Sequence, residues 1–446
     1  MPVARLARAV RQRVPAAAGV EGPTAGRSAA IGVLLPVHPV SLTSGLMGKI
    51  ANRTLAGAGA LVLAVALAGT ASYAGGHPKV TTPTLTGWAA LPAGTFVPGS
   101  EPSGALVTGD LHGFTAPFAD QPVQGFSGIV DNHDGTFDVL SDNGYGNQAN
   151  SADFLLRVHR LAPAFATNTV DVVGGVNLTD PNGKVPWPLT RADRVLTGAD
   201  FDVESIVKAA DGTFWIGDEF GPYLLHFDRG GRLLTAPIPL DGVVAPETAA
   251  RTGVPATTGS SKGFEGLASS PGGRYVYGLL EGTVTGDTPG QLRLNEFDTR
   301  AQRYTGKRYR YRLESATNAI GDAIAVDRDR FLIIERDGGQ GATAVFKRLY
   351  LADKRDRDRD GLLDKTLLVD LMNIANPKRL GGFGTTFTFP FQTIEDVVIL
   401  DDTHLAVLND NNFPFSSGRT AGRADDNEWI TIQLPQPLHT DRRLLR

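Results

Sequence analysis

The chain has no cysteine in 446 residues. That absence excludes disulfides, Cys-ligated zinc, iron–sulfur clusters, thiol nucleophiles and a lipidated cysteine anchor at once. An excess of one charge is also missing: 43 Lys and Arg stand against 47 Asp and Glu, a formal net charge of -4. Bulk charge therefore draws the protein neither to nucleic acid nor to an anionic membrane. Long apolar runs are scarce as well, since Leu55–Ala68 falls short of the roughly 20 residues that span a bilayer. The sequence holds no HExxH, Walker A or dinucleotide-binding fingerprint, and its 8 histidines are scattered. Gly259–Gly263 (GSSKG) satisfies G-x-S-x-G, but it sits in a polar loop without the preceding strand that a nucleophile elbow needs.

What is abundant is turn-forming residue, with 53 Gly and 28 Pro, alongside a hydrophobic content of 41% that can fill a large core. Residues 1–46 have no sustained period and read as a non-native or disordered extension. From Met47 the order is basic (Lys49, Arg53), apolar (Leu55–Ala68), then small residues up to Ala74. That is the layout of a signal peptide over 47–74, cleaved near Ala74 and leaving no stable membrane anchor. Residues 75–100 read as a linker and first strand, 101–436 as the folded domain, and 437–446 as a tail.

Five segments repeat one layout of strand, turn, strand and acidic end. They are FSGIVDNHDGTFDVLSDNG (126–144), VESIVKAADGTFWIGDEFG (203–221), FEGLASSPGGRYVYGLLEG (264–282), GDAIAVDRDRFLIIERDG (321–338) and IEDVVILDDTHLAVLNDNN (394–412). Each hairpin carries its own turn signal, such as HDG or PGG. No stretch shows a helical period, and 162–200 and 241–262 read as loops. The expectation is an all-β protein, a β-propeller with six blades (five or seven being the alternatives), in which 84–110 and EWITIQL (428–434) close the ring.

The repeats align acidic residues in two columns. One holds Glu204, Glu265, Asp322 and Glu395, with Ser127 or Gly128 in the first unit. The other holds Asp142, Asp218 with Glu219, Glu281, Glu335 and Asp410. Carboxylates brought together stay ionised only if cations compensate them. Oxygen ligands without cysteine favour Ca²⁺ over zinc or copper. The alternative is that each acid caps a turn or pairs locally. Lys262 and Arg336 lie inside the same motifs and suit an anionic group. Separately, Asp356, Asp358, Asp360, Gly361 and Asp364 follow the spacing of a calcium loop, although position twelve is Leu367.

GDEFGPYLLHFD (217–228), KGFEGLASSPGGRYVYGLLEG (262–282), FLIIERDGG (331–339) and EDVVILDDTHLAVLNDNNFP (395–414), in this order, resemble the secreted bacterial phytase-like ("esterase-like activity of phytase") proteins. The resemblance implies a propeller, export, and hydrolysis of phosphate or related esters with calcium. Matching positions are Asp218, Glu219, Glu265, Glu335, Arg336, Glu395, Asp410 and Asn411. Lys262 departs from the arginine expected before Gly-Phe-Glu-Gly and lacks its bidentate fork.

The resulting expectation is a monomeric, exported, Ca²⁺-dependent phosphoric ester hydrolase that takes a small anionic ester. Glu219 or Glu265 would be general base, and Lys262 or Arg336 would stabilise charge. Asp142, Glu204, Asp218, Glu281, Asp322, Glu335, Glu395, Asp410, Asn411 and the 356–364 loop would hold metal. A lactonase or carboxylesterase, and a non-catalytic calcium-stabilised binding propeller, are the alternatives. Both enzyme readings require acids from different blades to meet in one channel.

Overall fold

The computed structural model describes residues 81–445. The expected extension and signal peptide lie outside these residues. Four-stranded antiparallel units recur along the chain. Blade 1 comprises Phe126–Asp131, Phe137–Ser141, Arg157–Ala164 and Thr169–Asn177. Blade 2 comprises Val203–Lys208, Phe214–Asp218, Tyr223–Phe227 and Ile238–Pro239. Blade 3 comprises Phe264–Ser269, Tyr275–Leu280, Gln291–Asp298 and Arg303–Arg312. Blade 4 comprises Ala319–Ala325, Arg330–Arg336, Lys347–Asp353 and Asp364–Asp370. Blade 5 takes Asp396–Ile399, His404–Leu408 and Asn427–Gln433, and its outer strand is the N-terminal Thr84–Leu91.

Each sequence repeat is thus the inner hairpin of one blade. Four of the five tips form by one mechanism: Asp134, Asp211, Asp327 and Asp401 each accept a hydrogen bond from the backbone N–H two residues on, at Thr136, Thr213, Asp329 and Thr403. The first strands neighbour one another in a closed cycle, blade 1 to blade 5 and back to blade 1. Gly266 permits one such approach, because a Cβ there would stand 2.6 Å from the Ala323 backbone nitrogen of blade 4. Five buried clusters fill the five interfaces. Phe126, Val139, Leu408 and Trp429 lie between blades 5 and 1, and Trp215, Leu224, Phe264 and Phe297 between blades 2 and 3. Strand Thr84–Leu91 pairs antiparallel with Asn427–Gln433, so the two ends of the domain fasten one blade. This is a β-propeller closed by strand exchange between its ends.

Among the described residues the four-stranded units that carry the sequence repeats number five. Long loops and the tail take up the remaining chain. Two further expectations change. Thr169–Asn177, inside a presumed loop, is the outer strand of blade 1; Val170 alone is buried and 171–175 are exposed on both faces, so it shows no apolar alternation. Pro246–Thr252, inside the other presumed loop, is a helix started by proline and ended by Gly253 in the left-handed region. Leu438 in the tail is buried against blades 4 and 5. Among the described residues no helix is long and apolar enough to cross a membrane.

Candidate active site

The strand register decides which acids face the channel. In blades 1 to 4 the pairing of the inner hairpin slips at one place, a bulge early in the first strand. The bulge residues are Ser127 with Gly128, Glu204, Glu265 and Gly321, and Glu395 stands just before the first strand of blade 5. A bulge re-aims its side chain, here toward the axis. By the same register the matching residues at the ends of the second strands are Asp142, Glu219, Glu281, Arg336 and Asp410; four lie just beyond the strand, and Arg336 is the last residue of its own, paired with Ala319. Blade 4 therefore breaks both columns, with glycine in one and arginine in the other.

Three of the expected ligands are engaged in other contacts. Asp322 is one residue past the bulge, and its carboxylate accepts the backbone N–H of Ala323 (2.7 Å) and of Val397 (3.1 Å), tying blade 4 to blade 5. Glu335 is one residue before Arg336 and faces the other way, accepting from Tyr311 Oη (2.8 Å), Asn318 Nδ2 (2.9 Å) and Lys365 Nζ (2.9 Å). Asp218 is likewise one before Glu219 and caps the backbone N–H groups of Asp202 (3.0 Å) and Gly221 (2.7 Å). A slip of one residue in a strand turns a side chain to the opposite face.

Two acidic triads form. Oxygens of Asp202, Glu204 and Glu219 lie within 4.8 Å of one another, and so do oxygens of Glu219, Glu265 and Glu281. All five residues are buried. Among the described residues these two triads draw on blades 2 and 3. Glu395 of blade 5 joins them through Arg336, whose guanidinium lies 3.2 Å from Glu395, 3.3 Å from Glu281 and 4.0 Å from Glu265. Lys262 Nζ binds the other oxygen of Glu281, and Ser127 Oγ donates to Glu395 at 2.9 Å.

Burial and mutual repulsion push the carboxyls of Glu204, Glu219 and Glu265 well above the ordinary glutamate range, burial being the larger cause. Glu395 is raised by burial and held back by Arg336. Oε1 of Glu219 and Oε1 of Glu265 are buried with no hydrogen-bond partner. Buried charge without a partner is expensive, so this is a donor set that fits a cation.

The remaining expected ligands flank the triads. Asp142 accepts the backbone N–H of Gly144 (2.8 Å), and burial raises its carboxyl well above the usual value. Asp410 bonds Asn412 N (2.6 Å) and Thr393 Oγ1 (3.1 Å), and burial pushes its carboxyl up to about 8. Asn411 braces loops, accepting from Gly125 N (3.3 Å) and donating to the Asp425 carbonyl (3.0 Å). In the loop between the last two strands of blade 4, oxygens of Asp356, Asp358 and Asp364 lie within 4.8 Å of one another. Asp360 instead accepts from Leu362 N at 2.9 Å.

Asp202 was not legible as a site residue. Its cue is the acid-x-acid pattern Asp202-Val203-Glu204, which places two carboxylates on one face of an extended chain. Asn143 Nδ2 (2.7 Å) and Ser261 Oγ (2.8 Å) orient it from neighbouring loops.

A family model described as phytase-like, "Esterase-like activity of phytase", matches residues 121–413. The chain belongs to the phytase-like family. The match takes in all five inner hairpins and both triads of this phytase-like chain. A protein of the fungus Arthroderma benhamiae named "Uncharacterized secreted protein" is 33% identical over 104 residues, 19% of this chain and 20% of that protein. The chain thus aligns with about a fifth of that relative's length. Similar solved structures include an exo-β-1,3-galactanase from Phanerochaete chrysosporium (9% identity, 71% of this chain and 61% of that chain, TM-score 0.39). Another is a putative 6-phosphogluconolactonase from Bacteroides uniformis (14% identity, 65% of this chain and 78% of that chain, TM-score 0.33). The fold assignment rests on strand pairing and not on these likenesses.

Proposed function

We propose that this phytase-like chain is an exported hydrolase that cleaves a small anionic ester, a phosphoric ester first, at a calcium site in the propeller channel. The observation that carries the reading is the concentration of buried carboxylates with unpartnered oxygens beside two cationic side chains. Membership of a family described by esterase-like activity and a relative named as secreted support it.

A divalent cation held by these carboxylates would supply a Lewis acid that polarises the ester and acidifies water. Glu265, with its free Oε1, suits the general base, since a raised carboxyl accepts a proton more readily near neutral pH. Lys262 is partly exposed, with 42% of its side chain accessible, and can turn from Glu281 toward negative charge developing on the substrate. Arg336 is buried among three carboxylates and fixes their positions instead of reaching substrate.

That burial favours a second reading. With Arg336 engaged, Lys262 is the accessible cation left beside the triads among the described residues, which suits a carboxylic ester or lactone of lower charge. Phosphate release from phytate and simple phosphate esters, with and without chelator, tests the first reading, with lactones and carboxylic esters in parallel. Chelator-sensitive phosphate release is expected. Turnover of lactones alone selects the second reading, and turnover of neither class overturns both.

A further inference from the structure

The two triads share Glu219 but differ in how their charge is balanced, and that difference points to where the cation sits. Glu281 of the second triad is ion-paired to both Lys262 and Arg336, and Glu265 lies 4.0 Å from Arg336. The protein's own cations occupy that side. In the first triad, by contrast, none of Asp202, Glu204 and Glu219 forms an ion pair among the described residues, although a further pair is made at Glu395 nearby. Asp202 receives two hydrogen bonds, both from neutral groups, Asn143 and Ser261. Glu219 is 3% exposed, and its Oε1 is buried without any donor.

We infer that the channel binds one divalent cation on Asp202, Glu204 and Glu219, and that the Glu265–Glu281 side is a permanent ion-pair platform that takes no ion. This rests on the functional reading above only in its choice of calcium as the probe. Asn143 and Ser261 act as positioning residues: each holds one oxygen of Asp202, leaving the remaining lone pairs for the cation. The channel is then polar across its width. The cation stands on blade 2 and Lys262 faces it from the start of blade 3, so an anionic group of the substrate fits between them.

Charge accounting predicts a reversal of sign. Without metal the three carboxylates repel one another, so removing one charge with Glu204→Gln or Asp202→Asn should raise the melting temperature in chelator. In excess calcium the same variants should melt below the unaltered protein, because they lose the stabilisation that ligand binding contributes. Glu281→Gln should melt lower in both conditions, since it removes the carboxylate that Lys262 and the buried Arg336 share.

The experiment is calorimetric titration of the full chain with CaCl₂, together with melting curves in chelator and in calcium, for these three variants and for Ser261→Ala. Asp202→Asn and Glu204→Gln are expected to remove one binding equivalent. Ser261→Ala should weaken that equivalent about tenfold, as loss of an orienting partner does, and Glu281→Gln should keep it. Any calcium bound by the exposed 356–364 loop persists in all four proteins and is subtracted by the comparison. Loss of the equivalent in Glu281→Gln with retention in Asp202→Asn overturns the assignment, and so does the absence of any difference among the variants. Calcium bound as described without ester turnover removes the functional reading and leaves this one standing. Chelator-sensitive turnover that survives Asp202→Asn does the reverse.

Discussion

Arg336 is the residue on which the charge balance of the channel turns, and Arg336→Gln tests that balance directly. Its guanidinium is 11% exposed and lies 3.2 Å from Glu395, 3.3 Å from Glu281 and 4.0 Å from Glu265. Glutamine keeps part of the stem and hydrogen-bonding capacity but removes the charge. Breaking one buried ion pair by deleting a partner costs about 3–5 kcal/mol, because the other charge is left stranded. Three carboxylates share this cation, so their losses do not add, and the expected cost in chelator at neutral pH stays at about 3–5 kcal/mol. Part of the cost should return at acidic pH. Burial already raises the carboxyls of Glu265 and Glu395, so they take up protons above the ordinary glutamate range and the repulsion fades. The assay is urea unfolding of the unaltered and variant proteins across pH, followed by far-ultraviolet circular dichroism. An unchanged unfolding midpoint at neutral pH would refute the reasoning, since it would mean that these carboxyls are neutral in the folded protein and need no cation.

Three further predictions concern the fold. His159 is buried in the third strand of blade 1, and burial, reinforced by Arg157, lowers its pKa from 6.5 to about 3. The unfolded chain therefore binds a proton between these values that the folded chain refuses; stability is complete above pH 6.5 and declines as pH falls, by up to about 1.4 kcal/mol per unit. His159→Gln should flatten that slope in urea titrations at successive pH values, and an equally steep slope in the variant contradicts it. Trp429 is 1% exposed and meets Phe137 edge-on at 4.8 Å across the seam between blades 5 and 1. Trp429→Ala should cost about 3–5 kcal/mol of unfolding free energy; a loss below about 1 kcal/mol would mean that the seam does not depend on it. Gly266→Val drives a side chain into the Ala323 backbone, which cannot yield, so soluble folded protein should fall sharply while Gly174→Ala, in the exposed outer strand of blade 1, remains soluble.

The sequence by itself determined the five inner hairpins, because their information is local: a turn signal (Asp-Gly, Pro-Gly-Gly, or the aspartate-rich DRD and DDT), two short aliphatic strands and an acidic end lie within about twenty residues. It also determined the donor chemistry, since a chain without cysteine and rich in repeated acids offers oxygen ligands. The outer strand of blade 1 was not legible, because Thr169–Asn177 is exposed along most of its length; the ring closure by 84–110 and 428–434 was expected, but the register of Thr84–Leu91 on Asn427–Gln433, which joins opposite ends of the domain, was not legible. Nor were the individual ligands. Asp218 and Glu219 are neighbours in sequence, as are Glu335 and Arg336, yet only the second of each pair faces the channel. That choice is made by a bulge and a register, which are properties of paired strands and not of one strand. The division between the triad without ion pairs and the triad paired with Lys262 and Arg336 was set later still. It depends on where Lys262 and Arg336 reach once blades 2, 3, 4 and 5 stand side by side, and long-range charge balance exists only in the assembled ring.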